Sequence, residues 1–184
     1  MPTSSNLRSC VFFDRDGVVN RSPGAGYVLS IDAFHLNDGV GDLLRSIHDA
    51  GWIAVLVTSQ RCVGKGMINI DGLETIHASM QEELLDHDGS NFDAIYAFTG
   101  LLGTKSWEKP NPTMIDQACI DHSIDPLRSI MIGDRDRDIE MAQRAGVGKT
   151  IRLAIDSDPV EIEADETVET MERVGEVVRE WVMG

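Results

Sequence analysis

Apolar runs spaced along the chain, with helical stretches between them, predict an α/β fold: a doubly wound, largely parallel sheet of five or six strands, Rossmann-like, with helices on both faces. Three observations carry this expectation. Short apolar runs without alternation at 10–13 and 52–57 suit strands buried on both faces, and 94–98 reads as a third strand. Residues such as Val40, Leu43, Leu44 and Ile47 recur at helical spacing between those runs. Polar and glycine-rich segments follow the strands, which is where open α/β sheets hold their ligands.

The first strand is expected over 10–13, and Asp14-Arg15-Asp16-Gly17-Val18-Val19-Asn20 follows it. Asp14 and Asp16 lie two apart, so a strand period carried past Phe13 puts both carboxylates on one side. Carboxylates this close repel, and the pair needs a cation between them or a raised pKa on one. A Mg²⁺ ion would hold one as an ionised nucleophile while the other serves as general acid and then base. A solvated Asp-Arg-Asp-Gly turn is the plain alternative, and only the rest of the chain separates the two.

Residues 1–9 are polar and expected to fray before the first strand. Arg21-Ser22-Pro23-Gly24-Ala25-Gly26 is rich in turn formers and is expected to lie over the site as a flap. The helix at Val40 has Asn37 or Asp38 as candidate N-cap and Gly51 as its stop. The strand at 52–57 then delivers Thr58-Ser59-Gln60 to the same end of the sheet as Asp14, given a right-handed crossover. Arg61-Cys62-Val63-Gly64-Lys65-Gly66 reads as a loop able to approach an anion, or as an ordinary solvated turn. Leu73, Ile76, Met80, Leu84 and Leu85 mark a helix ending near Gly89, and 94–98 is the third strand. The loop 99–112 carries Trp107-Glu108-Lys109-Pro110. A helix at 114–121, a strand at 129–132, a helix opened by Gly133-Asp134-Arg135-Asp136-Arg137-Asp138 and a strand at 149–155 complete the core. Residues 156–166 read as an acidic surface linker before a last helix at 167–182, packed on its own sheet or serving as an interaction face. The whole is expected to form one domain, 1–184, with its core at 9–155.

Composition narrows the function. A formal net charge of -15 argues against non-specific binding to nucleic acid or anionic membranes, yet leaves room for a phosphorylated metabolite beside a bound cation. No apolar run has the length of a membrane span, and the N-terminus lacks the apolar core of a signal peptide, so a cytoplasmic location is expected. Cys10, Cys62 and Cys119 form no C-x-x-C pair and suggest neither disulfides nor a cysteine zinc site. Cys10 and Cys119 read as core residues, Cys62 as a residue of an exposed loop.

Asp14 with Asp16, Thr58, Lys109, and Asp134 with Asp138 follow separate strands and are expected to converge. A carboxylate nucleophile, a hydroxyl donor, an ammonium and a metal-binding carboxylate meet the needs of phosphoryl transfer. In this order they resemble the haloacid dehalogenase-like hydrolases, whose phosphatases show D-x-D-G, then Thr or Ser, then Lys, then G-D-x-x-x-D. The resemblance covers about residues 9–155. Asp14-Arg15-Asp16-Gly17-Val18-Val19-Asn20, Tyr27-Val28, Phe34 and Asp38-Gly39-Val40 are most similar to the heptose-bisphosphate and histidinol-phosphate phosphatases. Thr58-Ser59-Gln60 with Gly64-Lys65-Gly66 resembles their T-N-Q loop, and Lys109-Pro110-Asn111-Pro112 their K-P-x-P.

That resemblance implies that Asp14 attacks phosphorus and that Asp16 protonates the leaving alcohol, then activates water. It implies Mg²⁺ on the Asp14 carboxylate, the Asp16 backbone carbonyl and Asp134, with Thr58, Ser59 and Lys109 on the phosphate and Asp138 supporting Lys109. It also implies no large cap domain, because 20–40 and 98–109 are too short for one. Three departures stand out. Residues 99–107 contain neither Cys nor His, so the family's structural zinc is not expected. Glu108 stands where an Arg is frequent and would repel a second phosphate, unless Arg61, Lys65 or Arg135 supplies the missing cation. Ser59 replaces the T-N-Q asparagine. The expected function is Mg²⁺-dependent hydrolysis of a small phosphomonoester, such as a heptose bisphosphate, by a monomer or homodimer. The alternatives are histidinol phosphate, a nucleic-acid 3′-phosphate, a binding protein without turnover, and a receiver-type signalling domain, whose phosphorylated Asp would follow the third strand, where Tyr96-Ala97-Phe98-Thr99 has none.

Overall fold

The computed structural model describes residues 7–101, 107–155 and 159–184. Parts of three expectations, the frayed terminus (1–6), the zinc-loop stretch (102–106) and the acidic linker (156–158), lie outside the described residues. The elements run β1 (Cys10–Phe13), α1 (Val40–Asp49), β2 (Ile53–Ser59), α2 (Arg61–Gly64), α3 (Ile70–Asp88), β3 (Ala94–Phe98), α4 (Thr113–His122), β4 (Ile130–Gly133), α5 (Asp136–Arg144), β5 (Lys149–Leu153), β6 (Glu166–Val168) and α6 (Met171–Met183). The strands form one sheet in the order β3-β2-β1-β4-β5-β6. Every pair is parallel, so all strands end on the same edge.

Alternation along the central strands explains why they read as continuous apolar runs. Val11, Phe13, Ala54 and Leu56 pack with α1, α3 and α6 on one face, while Cys10, Phe12, Ile53, Val55 and Val57 pack with α4 and α5 on the other. With both faces covered, neither side of the strand can be polar. The two layers together clamp β1 and hold its carboxyl end in place.

Five expectations shift. The sequence signals no strand within 156–168, yet Glu166–Val168 pairs with β5, Ile151 opposite Glu166 and Leu153 opposite Val168. Only Val168 of its three residues is buried, so this edge strand carries no apolar run to read. The last helix accordingly starts at Met171 and not at 167, capped by the Thr170 hydroxyl, which accepts from Arg173 N. Neither Asn37 nor Asp38 caps α1: Gly39 does, at φ +86°, and the Asn37 amide donates to Val18 O instead. The stretch after Gln60 is a helical turn, α2, and no open loop. Cys62 is fully buried beneath it, because the turn rolls the thiol inward.

Helix α6 contributes Val174, Val177 and Val178, all nearly or fully buried, to the core that also holds Val168 and α1. Each buried valine stabilises by about 1.5 kcal/mol or more, so the four together are on the order of a marginal domain's whole stability. A chain ended at Asp158 is therefore expected to lose about 10 °C or more of melting temperature, or to unfold without cooperativity, by thermal circular dichroism. An unchanged melting temperature would contradict this packing role.

Candidate active site

Asp14, Thr58, Ser59 and Asp134 come to one edge because β1, β2 and β4 are parallel neighbours whose carboxyl ends lie there. Asp14 is locked to β4 by its N–H, which donates to Ile132 O at 3.0 Å. Lys109 arrives from the loop between β3 and α4 and is nearly fully buried. Its ammonium donates to Asp14 Oδ1 at 2.6 Å and to Asp138 Oδ1 at 2.8 Å. Asp138 has a second task, accepting the Arg135 N–H on Oδ2 at 3.1 Å and so capping α5.

Two glycines make this convergence possible. A Cβ on Gly17 would lie 2.4 Å from Asp134 Oδ2, and one on Gly133 would lie 2.3 Å from Asp138 Cβ. Gly17 also stands at φ +95°, a conformation other L-residues rarely adopt.

Carboxylate oxygens of Asp14, Asp134 and Asp138 fall within 4.8 Å of one another. Burial first, then the charge of Asp138, raises the Asp14 pKa to about 6, against the pull of Lys109. Burial, then the charges of Asp14 and Asp138, raises Asp134 well above the carboxylate range. Asp138 is buried too, which alone would raise it, but Lys109 and Arg137 hold it low. Lys109 is raised: burial works against its charge, and Asp138 and Asp14 outweigh burial. Asp134 Oδ1 is buried with no hydrogen-bond partner among the described residues. An oxygen-only donor set, short of positive charge and with an orphaned carboxylate oxygen, fits a hard divalent cation such as Mg²⁺.

Asp16 behaves differently from the sequence expectation. The strand ends at Phe13, so its period of two does not reach Asp16, and the two carboxylates part. That of Asp14 turns to Lys109, that of Asp16 to Arg15 and Gln60, outside the three-carboxylate cluster. Gln60 Nε2 is 3.0 Å from Asp16 Oδ2 and 2.8 Å from Thr58 Oγ1, tying the end of β2 to the loop after β1.

Beside this cluster lies a cavity of about 200 Å³, lined by residues 22–27 with Asp16, Ser59, Arg61, Arg135 and Arg137. The turn-forming segment thus covers the site as a flap. Arg61 lies 3.6 Å from Glu108, so this acid faces a cation, while Lys65 stands outside the cavity with its ammonium 5.1 Å from the centre of the Tyr27 ring. The sequence reading missed three residues. Gln60 and Arg15 hold Asp16, and Arg137 brings a guanidinium into the field of Asp138, Asp14, Asp134 and Asp16. For Arg137 the first turn of a helix offers no sequence signal as to which of its residues faces inward.

The raised carboxylates make metal binding and pH linked. Asp14 and Asp134 keep protons in the fold that the unfolded chain has already released, so from about pH 4 up to their raised values they lower metal-free stability as pH rises. A divalent cation requires both ionised. The gain in melting temperature from Mg²⁺ over EDTA is therefore expected to be larger at pH 8 than at pH 5.5, and the difference to shrink in Asp134→Asn. Equal gains at both values would overturn this assignment. Replacing Lys109 by Met leaves Asp14 and Asp138 buried without their shared cation, and is expected to cost about 3–5 kcal/mol by urea unfolding in EDTA.

A family model described as HAD-hydrolase-like matches residues 106–153, the stretch that holds Lys109, Asp134 and Asp138. The D-glycero-D-manno-heptose-1,7-bisphosphate 7-phosphatase of Thermosynechococcus vestitus is 35% identical over 150 residues, 76% of this chain and 76% of that protein. The D-glycero-beta-D-manno-heptose-1,7-bisphosphate 7-phosphatase of Yersinia pestis is 32% identical over 181 residues, 94% of this chain and 88% of that one. Among solved structures, the D,D-heptose 1,7-bisphosphate phosphatase from B. bronchiseptica, complexed with magnesium and phosphate, superposes with a TM-score of 0.81 at 26% identity, over 94% of this chain and 98% of that one. With the order of its motifs, its capless parallel sheet and these relatives, the chain belongs to the haloacid dehalogenase-like hydrolases, in their heptose-bisphosphate phosphatase family.

Proposed function

We propose that this phosphatase removes the 7-phosphate of a heptose 1,7-bisphosphate with Mg²⁺, through an aspartyl-phosphate on Asp14. The observation that carries the reading is the buried Lys109 bridge between Asp14 and Asp138, set beside the Asp134 carboxylate and next to a cavity that Asp16, Arg135 and Arg137 line.

Asp14 and Asp134, with the Asp16 backbone carbonyl, are the ligands assigned to Mg²⁺, which when bound neutralises charge on the transferring phosphoryl group. Lys109 keeps the Asp14 carboxylate oriented and favours its ionised form, as a nucleophile needs. Thr58 and Ser59 at the end of β2 receive the phosphate oxygens; the Ser59 hydroxyl is buried and has no partner among the described residues, which leaves it for a ligand. Asp16 gives its proton to the leaving alkoxide as the P–O bond breaks, then takes one from the water that attacks the acyl phosphate. Asp138 acts on Lys109 and on the cap of α5.

The second phosphate falls to the arginines of the cavity. Glu108 argued against a bisphosphate in sequence, but Arg61 faces it and Arg135 and Arg137 line the same space. A chain that is acidic overall thus concentrates guanidinium groups where a dianion would sit.

Asp14→Asn is expected to lower turnover by about 10³-fold or more, since an amide is a poor nucleophile. Near-normal phosphate release by that variant would sink the reading. Release measured across heptose 1,7-bisphosphate, histidinol phosphate, nucleotides and a 3′-phosphorylated oligonucleotide is expected to favour the first. Arg137→Gln is expected to raise KM for the bisphosphate about tenfold or more relative to the heptose 7-monophosphate. An unchanged ratio would remove Arg137 from the second phosphate.

A further inference from the structure

Arg15 stands between the two aspartates of the loop after β1, yet it is 0% exposed and lines neither that cavity nor any other described. A buried guanidinium is tolerated only where its charge and donors are matched. One edge meets the Asp16 carboxylate: Nε and Nη2 lie 3.2 and 2.9 Å from Oδ1, and Nη2 is 3.2 Å from Oδ2. The other edge leaves the loop. Nη1 lies 3.2 Å from Nε2 of His77, 62 residues further on in α3.

Arginine has donors only, so Nε2 must accept, which makes His77 the neutral tautomer with its proton on Nδ1. Burial, followed by the Arg15 charge, lowers the His77 pKa to about 4, in agreement. His77 is itself buried, next to Ile76 in sequence on a helix whose Leu73, Ile76 and Met80 are buried with it, so the rigid backbone of α3 fixes where its ring starts from. Gln60, just past the end of β2, donates to the Asp16 carboxylate as well, so that carboxylate is held by two donors, Gln60 and the Arg15 fork.

We propose that His77 is a positioning residue for Asp16: by accepting from Arg15 Nη1 it anchors the guanidinium to α3, and the far edge of that guanidinium sets the orientation of the Asp16 carboxylate. Neither Arg15 nor His77 touches the substrate. The inference rests on the reading of Asp16 as the group that protonates the leaving alcohol, and its test separates the two.

An alkyl phosphate expels an alkoxide that must be protonated, whereas p-nitrophenyl phosphate expels a phenolate that leaves without a proton. In kcat/KM, His77→Leu is expected to lose about 10- to 100-fold on a sugar phosphate and to stay within about 3-fold of wild type on p-nitrophenyl phosphate. Asp16→Asn, run beside it, is expected to show the same contrast more strongly. His77→Gln, which keeps an uncharged acceptor, is expected to recover most of the loss. Arg15→Lys, which cannot bridge Asp16 and His77 at once, is expected to behave like His77→Leu and serves if that variant fails to fold. Equal losses on both substrates, or no loss on the sugar phosphate while Asp16→Asn keeps its contrast, would overturn the role of His77. Absence of the contrast in Asp16→Asn itself would overturn the reading of Asp16 and the inference with it.

Discussion

The buried ammonium of Lys109 is the interaction on which the rest of the site depends. Asp14, Asp134 and Asp138 are drawn within 4.8 Å of one another from two separate pieces of backbone, the end of β1 and the turn from β4 into α5, and burial at such distances penalises their negative charge unless cations offset it. Lys109 joins Asp14 to Asp138, so the loop before α4, the end of β1 and the first turn of α5 are fastened at one nitrogen. Asp138 is also the cap of α5, which makes the bridge part of the helix start as well as part of the site. That coupling of cap and charge leaves Asp134 as the carboxylate with an orphaned oxygen, and hence as the group that most needs a metal.

Around this centre the charges are sorted by role. Asp16 is held by Arg15 and Gln60 outside the three-carboxylate cluster, so its carboxylate is not tied to the cation that bridges Asp14 and Asp138. Arg61, Arg135 and Arg137 line the neighbouring cavity, so a chain of net charge -15 gathers three guanidinium groups there, each also facing a carboxylate. Close approach is bought by the smallest side chains: Gly17 and Gly133 leave room for Asp134 and Asp138 where any Cβ would collide.

Much of this was legible in the sequence because its signals are local. The unalternating runs at 10–13 and 52–57 announced strands covered on both faces, and the helical repeats of Val40, Leu43, Leu44 and Ile47 announced part of the layer that covers them; the run at 94–98 is also a strand, but one at the sheet edge whose first four residues are half-buried. The polar residues that follow each strand had to meet once the strands were parallel neighbours. The misses share a cause. Strand β6 has one buried residue, Gly39 replaces a side-chain cap because Asn37 is drawn to Val18, and Cys62 turns inward with α2; each is decided by a contact with a distant segment.

By itself the sequence determined the parallel α/β class, the carboxylate pair after the first strand and the order of motifs that marks the family, since these follow from periodicity and from the order of single side chains. Only the tertiary structure decided how the charges pair: Lys109 with Asp14 and Asp138, Asp16 with Arg15 and Gln60, Arg15 with His77, and Arg61 with Glu108. Charge pairing depends on distances of a few ångström between groups up to 95 residues apart, and burial magnifies each of them, so no local pattern in the chain encodes it.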